Sequence, residues 1–387
     1  MMKHFKFFLL ALGSLMLGAC SNSDEPKGSE NSLSEKESSL KSAVEAYVDN
    51  TVLPTYQAMA DAAIETRDLC LAMQDKHARG ELTESDIRAA GEAWKQARKH
   101  WELSEAFLYG PAANHNIDPH IDSWPLDKAA MESLLGRIRN GMSWSLENNG
   151  GYGLIGFHAV EYMLFQLSAD ENSSRVHSTD YTLEELEYLA AVAEDLCQQC
   201  VCLEACWAGQ DNVSAAKQEI LDEAELDYGE DYGWEMKNAG KAGSRFKTYQ
   251  EAVEEIIQGC IDIADEVGNT KIGRPHIGSS DEDKNYIESP YSLNSIEDFA
   301  DNIRSVRNAY LGSRSGDASV SDYVKSVDAS ADAEVRAAIQ NAIDAIERIP
   351  EPFAKNATGA FGEAAMKAAG ETLVDALEKA MSAVIRH

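Results

Sequence analysis

One short segment contains the residues whose types and spacing are best suited to chemistry. His158 and Glu161 are three positions apart, which places both side chains on one face of a helix. The flanking residues from Leu154 to Phe165 are almost all apolar, so this helix is expected to be buried. A buried carboxylate needs a partner, because burying it alone is costly. The pair therefore predicts either two ligands of one metal ion or a core histidine satisfied by a carboxylate.

Two neighbours belong to the same predicted site. Gly156 has no side chain, so another backbone or a ligand can approach the helix closely there. The phenol of Tyr162 lies next to Glu161 and is the only other ionisable group of the segment.

A second group of candidates lies upstream, where a predicted helix ends near Tyr109. Arg98, Trp101 and Glu105 fall on one helical face. Ser104 and Glu105 sit in an otherwise aromatic turn, which suggests that both are buried.

The loop that follows is rich in potential cation ligands. It carries His115, Asp118, His120 and Asp122 and ends at Trp124. Such a loop either binds a cation or is solvated, and the second alternative is the common one.

A third group lies in the second half of the chain. Glu288 and Ser292 precede a predicted helix that carries Asp298 and Asn302. Ser292 or Ser295 is suited to cap the start of that helix. A capped helix with a polar face accounts for most of these residues.

The cysteines resemble a metal cluster only in sequence. Cys197, Cys200, Cys202 and Cys206 fall in a predicted helix, where each residue turns by about 100°. The first two face one way and the last two nearly the opposite way, so one straight helix cannot gather all four on one ion.

These candidates must be positioned by helices. Apolar residues recur every three or four positions, and no proline occurs between Pro125 and Pro275. Helices are predicted near 38–76, 83–109, 126–139, 153–168, 181–209, 214–223, 244–268, 292–312, 331–348 and 359–386, with a kink at Pro54. The prediction is an all-α chain of two helical bundles packed against each other, possibly a duplicated four-helix bundle, over 39–225 and 226–387.

The N-terminus predicts an exported, lipid-anchored protein. Residues 1–19 read as a signal peptide, with a basic start and an apolar stretch. The sequence Leu17-Gly18-Ala19-Cys20 is typical of a bacterial lipoprotein, in which Cys20 carries the lipid. Residues 20–38 are polar and predict a flexible tether. The expected location is the cell envelope, periplasmic or outer-membrane, with Cys20 as the membrane contact.

Composition excludes several functions. The 387 residues include 66 acidic and 34 basic side chains, for a net charge of −32, so nucleic acid is not an expected partner. The chain has no His-Glu-x-x-His, Gly-x-Ser-x-Gly or phosphate-loop motif.

The segment Gly156-x-His158-x-x-Glu161 resembles the GxHxxE signature of imelysin-like proteins. Residues 101–111 and 121–127 are similar to the two upstream blocks of that family, and 263–268 and 288–312 to its second-half blocks. The blocks run in family order and span most of residues 40–385.

The resemblance implies two packed helical bundles with a site near their junction, in an envelope protein often tied to iron supply. Members have been labelled metallopeptidases, which would make His158 and Glu161 catalytic. The implied ligands of an iron or zinc ion are His158, Glu161, Glu105 and Asp122. The supporting residues of the site are Gly156, Tyr162, Arg98, Ser104, Trp124, Ser292 and Asn302.

Three functions remain open at this point. The first is an envelope lipoprotein that binds iron or another cation for uptake, with envelope iron-uptake components as partners. The second is a zinc peptidase that uses His158 and Glu161. A hydrolytic zinc site usually has three protein ligands and a water, so Glu105, Asp118 or Asp122 would have to complete it. The third is a metal-free interaction module in which the His158–Glu161 pair is structural.

Overall fold

Helices make up all the regular secondary structure of the described residues, which are 33–146, 151–166 and 177–387 of a computed structural model. The all-α prediction is confirmed. In chain order the helices are α1 (Glu35–Tyr47), α2 (Leu53–Ala78), α3 (Glu84–Glu102), α4 (Pro111–Asn114), α5 (Ile117–Ile121), α6 (Lys128–Arg139), α7 (Gly156–Glu161), α8 (Leu183–Ala208), α9 (Ala215–Ala224), α10 (Tyr232–Lys237), α11 (Tyr249–Asp265), α12 (Gly273–Ile277), α13 (Asp281–Lys284), α14 (Ser295–Leu311), α15 (Val320–Val327), α16 (Ala329–Ile346), α17 (Phe353–Asn356), α18 (Ala360–Lys367) and α19 (Val374–Arg386).

Widened and tightened turns connect several of these helices. The widened, π-type turns are Val48–Val52, Tyr162–Gln166, Glu266–Ile272 and Ala368–Leu373. The tighter 3₁₀ turns are Glu105–Phe107, Tyr152–Leu154, Ser178–Asp180 and Gln210–Asn212. The first widened turn ends just before Pro54, the position where the sequence predicts a kink.

Local signals explain where the long helices begin and end. Helix α8 starts at a capping box, in which the Thr182 hydroxyl accepts the N–H of Glu185 while the Glu185 carboxylate accepts the N–H of Thr182. It ends at Gly209, whose φ of +83° suits a residue without a Cβ. This helix lies within two residues of its predicted bounds.

Two bundles meet at the end of helix α3. In the first bundle α2, α3 and α8 pack together, with α6 and α7 against α8. In the second, α11, α14, α16 and α19 pack together. Helix α3 and the turn Glu105–Phe107 contact α11 and α14, so this end of α3 forms the junction. The site residues come from this junction.

Helix α1 joins the second bundle although it precedes the first. It packs on α11 and α15. The ammonium of Lys36 donates to the carbonyl of Val384 at 3.1 Å, across 348 positions. Residues 35–387 form one compact unit, and the domain boundary at 225 stays a prediction.

The predicted signal peptide and Cys20 lie outside the described residues. Helix α1 begins at Glu35, inside the predicted tether. Among the helices of the described residues, none combines the length and the apolar character needed to span a membrane.

Candidate functional site

The centre of the site draws on five separate parts of the chain. Helix α3 supplies Arg98 and Glu102, and Asp122 follows α5. Helix α7 supplies the GxHxxE residues, the segment before α14 supplies Glu288, and α14 itself supplies Asp298. These parts meet at the bundle junction, where Arg98, Glu102, Glu161 and Glu288 are completely buried.

Gly156 allows α7 to start directly against the end of α5. Its φ is +72°, and a Cβ built there would lie 2.2 Å from the carbonyl oxygen of Ile121. No side chain fits at that distance, so the glycine fixes the approach of α7 to the residue before Asp122.

His158 lies between two carboxylates. Its Nδ1 is 3.2 Å from Oε2 of Glu161, and its Nε2 is 3.1 Å from Oδ1 of Asp122, where no hydrogen bond is aligned. Burial alone would lower the pKa of His158, but the two carboxylates outweigh it and raise the pKa to about 9. The imidazole is therefore protonated at neutral pH when no metal replaces its proton.

Glu161 is held by the second half of the chain. Its Oε1 accepts the N–H of Tyr291 at 3.1 Å, the N–H of Ser292 at 2.8 Å and the hydroxyl of Ser292 at 2.7 Å. Ser292 thus contacts the signature glutamate directly. It does not cap α14, whose N-cap is Asn294, because the helix begins only at Ser295.

Arg98 is the buried cation at the centre of the site. Its Nη2 lies 2.5 Å from both Glu102 and Glu288, and its Nη1 donates to Asp122. Asp122 also accepts the indole N–H of Trp101 at 2.7 Å. Burial opposes ionisation of Asp122, yet Arg98 and His158 hold the pKa of this carboxyl below its ordinary value.

Lys271 is a second buried cation, which no pattern in the sequence indicates. Its Nζ lies 3.1 Å from Glu288, 3.3 Å from Glu105 and 3.7 Å from Glu102. The residue falls in a stretch predicted as a loop, whereas it lies in the widened turn Glu266–Ile272. Neighbouring residues in the sequence carry no charge pattern that would place this lysine among carboxylates of the first bundle.

Negative charge exceeds positive charge in the described site. Six carboxylates, from Glu102, Glu105, Asp122, Glu161, Glu288 and Asp298, face Arg98, Lys271 and His158. Burial raises the pKa of Glu288 to about 7, and it raises the pKa values of Glu105 and Asp298 well above the ordinary range. The excess is relieved either by protons on these carboxyls or by a bound cation.

Three overlapping groups of residues could hold a metal ion. Within each group the ligand atoms lie within 4.8 Å of one another: Asp122, His158 and Glu288; Glu102, Glu288 and Asp298; Glu102, Glu105 and Asp122. The donor set suits a metal, because Oε2 of Glu288 is buried without a hydrogen-bond partner in the described chain. Glu161 lies outside these groups, since its oxygens already face Ser292, Tyr291 and His158.

A cavity of about 530 Å³ adjoins these ligands. Carboxylates dominate its charged lining, with Lys271 as the cation. The acidic members are Glu105, Asp118, Asp122, Asp262, Glu266 and Glu288. Burial and neighbouring carboxylates raise the pKa of Asp118 to about 7. This acidic cavity would concentrate cations beside the three ligand groups.

The remaining predicted residues surround the site. Ser104 donates to the carbonyl of Trp101 at 2.7 Å, and the Asn302 amide donates to Glu102. Tyr162 packs edge-on against Tyr291, with ring centroids 5.2 Å apart.

The predicted cation loop is divided among different surroundings. Asp122 joins the site and Asp118 lines the acidic cavity. His115 lies 3.1 Å from Glu230 and His120 lies 2.9 Å from Asp195. The four loop residues therefore do not gather around one ion. The cysteines Cys70, Cys197, Cys200, Cys202, Cys206 and Cys260 are buried free thiols, and no metal-ligand group found among the described residues contains one.

Fold and site together define a two-bundle helical protein with a buried histidine–carboxylate centre where the bundles meet. The family model described as Peptidase M75, Imelysin, matches residues 52–384, so the chain belongs to the imelysin family.

Individual relatives are similar over much of the chain. Iron-regulated protein A of Synechococcus elongatus is 28% identical over 272 residues, which cover 70% of this chain and 64% of that protein. The alignment thus spans less than two thirds of that relative's length. A crystal structure described as an iron-regulated protein A precursor from Parabacteroides distasonis matches with a TM-score of 0.74 and 27% identity, over 91% of this chain and 97% of that one.

A more distant structure shows the same fold. An imelysin-like protein from Psychrobacter arcticum matches with a TM-score of 0.55 and 12% identity, over 90% of this chain and 93% of that one.

Proposed function

We propose that this imelysin-family protein is exported to the cell envelope. There it binds a metal ion, with iron as the first candidate, and takes part in iron uptake. The main support is that the ligand atoms of Asp122, His158 and Glu288 lie within 4.8 Å of one another, beside an acidic cavity. The names of two relatives, both iron-regulated protein A, support the choice of iron.

The ligand types fit this assignment. Carboxylate oxygens and one imidazole nitrogen suit iron and zinc, whereas a site for soft metals would use cysteine. Asp122, His158 and Glu288 would hold the ion, and Glu102 and Glu105 would supply further negative charge nearby. Glu161 would orient His158, because its carboxylate contacts Nδ1 and leaves Nε2 to bind the ion.

The envelope location rests on the N-terminal sequence. Residues 1–19 have the pattern of a signal peptide, and Cys20 has the position of a lipid-carrying cysteine. The Parabacteroides relative is described as a precursor, which agrees with export. The proposed partners are therefore the membrane, through Cys20, and envelope components of iron uptake.

A metal-free site is the second candidate, and the position of Arg98 favours it. The guanidinium already binds Asp122 and Glu288, two of the three proposed ligands. In this alternative the buried charges only fix the junction of the bundles. The peptidase activity implied by the family's name needs the metal together with an activated water, so it depends on the first candidate.

Calorimetric titration with Fe(II), under anaerobic conditions, and with Zn(II) tests the proposal. We expect saturable binding that His158→Ala and Glu288→Gln each weaken by at least tenfold. His120→Ala is the matched control, since this histidine also contacts a carboxylate, Asp195, but outside the site. Absence of binding in the wild type, or binding that survives both site variants, would contradict the metal site.

Peptide cleavage then separates a carrier from an enzyme. The metal-loaded protein is incubated with the insulin B chain, and the products are analysed by mass spectrometry. A carrier leaves the peptide intact at metal concentrations that saturate the calorimetric site. Cleavage that is lost in His158→Ala but kept in His120→Ala would assign a peptidase instead.

A further inference from the structure

A second cavity shares Trp124 with the acidic one. Its volume is about 620 Å³, and Trp124 and His158 are part of its lining. Most of the other lining residues are apolar or aromatic, including Ile287, Tyr291 and Leu293. Leu293 is 40% exposed, so the cavity opens to solvent at that residue.

The charged residues that line this apolar cavity differ from those of its neighbour, although Lys128 also lies 3.9 Å from Glu132, outside the lining. Its lining carries Lys128 and Lys355 against a single acidic residue, Glu282. The acidic cavity carries six carboxylates against one lysine. In a chain with a net charge of −32, a cavity with more lysines than acids stands apart from the average surface.

Trp124 and His158 place polar groups in the same wall. The indole nitrogen of Trp124 is buried and has no hydrogen-bond partner in the described chain. His158 is 2% exposed, and its Nε2 already faces Oδ1 of Asp122 at 3.1 Å. Buried donors without partners are uncommon in folded proteins, so the Trp124 indole marks this wall as unusual.

We propose that the apolar cavity binds a small organic carboxylate with an aromatic or aliphatic body. The volume lies in the range of small-molecule sites. Burying the apolar body against Ile287 and Tyr291 supplies affinity, while Lys128 and Lys355 select the negative charge. This binding goes beyond the proposed cation site and does not require it.

The carboxylate that binds here could have either of two sources, because His158 belongs to both sites. It can arrive as the free acid or as the organic part of a metal chelate, since His158 borders both the apolar cavity and the proposed cation ligands. Measuring the binding affinity of the same carboxylate with and without Fe(III) distinguishes the two sources.

Calorimetry with three isosteres tests the charge preference. The purified full-length protein in detergent is titrated with 2-naphthoate, 2-naphthamide and 2-naphthylmethylamine. The metal-free titrations contain EDTA, and the titration with Fe(III) omits it. We expect saturable binding of the carboxylate, binding at least tenfold weaker for the neutral amide, and none for the amine. Equal affinity for all three, or no saturable binding of 2-naphthoate alone or with Fe(III), would overturn the proposal.

Variants locate the bound carboxylate. The double substitution Lys128→Glu with Lys355→Glu should weaken 2-naphthoate by at least tenfold, and Ala354→Trp should block the cavity sterically. Lys325→Glu, on α15 and outside both cavities, is the control and should leave binding unchanged. Thermal unfolding checks that each variant is folded. If 2-naphthoate binds while Fe(II) and Zn(II) do not, only the cation site fails.

Discussion

The carboxylate of Glu161 accepts the backbone N–H of Ser292 at 2.8 Å, although 131 positions separate the two residues. The same oxygen accepts the Ser292 hydroxyl and the N–H of Tyr291. The glutamate of the GxHxxE signature therefore connects the first bundle to the segment that precedes α14. This connection fixes Glu161, and through it the orientation of His158.

Removal of this acceptor should destabilise the protein. In Glu161→Ala two backbone N–H groups and Nδ1 of His158 lose their partner, so we expect the free energy of unfolding to fall by about 3–5 kcal/mol. In Glu161→Gln the amide oxygen keeps an acceptor for Ser292, and the loss should be about half as large. Urea unfolding measures both, and equal losses would contradict the acceptor role.

The glycine at the start of α7 offers a paired test. Gly156→Ala introduces a Cβ that would lie 2.2 Å from the Ile121 carbonyl at a φ of +72°, and we expect a loss of at least about 3 kcal/mol. Gly136→Ala is the control, since that glycine lies within α6 with nothing within 4 Å of a new Cβ. It should gain about 0.5–1 kcal/mol in helix stability. Thermal unfolding of both variants measures these changes in stability, and similar changes in the two would contradict the role of Gly156.

Arg98→Met should leave the central carboxylates without their main cation. We expect the free energy of unfolding to fall by about 3–5 kcal/mol at pH 8. The loss should be smaller at pH 5, because uncompensated carboxyls in the folded variant take up protons as the pH falls. Arg79→Met removes an exposed pair with Glu81 and should change the free energy of unfolding far less than Arg98→Met. A loss independent of pH would show that Arg98 does not act through its charge.

The raised pKa of His158 predicts a pH dependence in metal-free buffer. The folded pKa of about 9 lies above the ordinary value of 6.5, so the stabilisation is complete below pH 6.5 and is lost as the pH rises through 9. Its size is on the order of 3 kcal/mol. His158→Gln lacks this contribution, so its stability should converge with that of the wild type towards pH 9. Parallel stability curves between pH 6.5 and 9 would exclude a protonated His158.

Sequence patterns predict the long helices well and the short ones poorly. Helices α8 and α14 lie within three residues of their predicted bounds, because their apolar periodicity extends over many turns. Helices α4 and α5 are four and five residues long and contain too few turns for a period to be recognised. The predicted helix over 83–109 ends at Glu102, where a turn and a 3₁₀ segment replace it.

The candidate site is only partly predictable from the sequence, because most of its contacts join residues far apart in the chain. The contact between His158 and Glu161 follows from their spacing on one helix. The ion pair between Arg98 and Glu288 joins positions 190 residues apart, and the pairing of Lys271 with Glu105 spans 166. Such contacts depend on how the bundles pack, which no local pattern contains.

The hydrogen bond from Lys36 to the carbonyl of Val384 has a consequence for the order in which this molecule folds. Helix α1 precedes the first bundle in the chain, but its partners α11 and α15 follow the whole of that bundle. Closing a contact across 348 positions loses more chain entropy than any pairing of neighbouring helices. The first helix of the described residues therefore pairs late, and this late closure makes folding slower than in an up-and-down bundle with only local contacts.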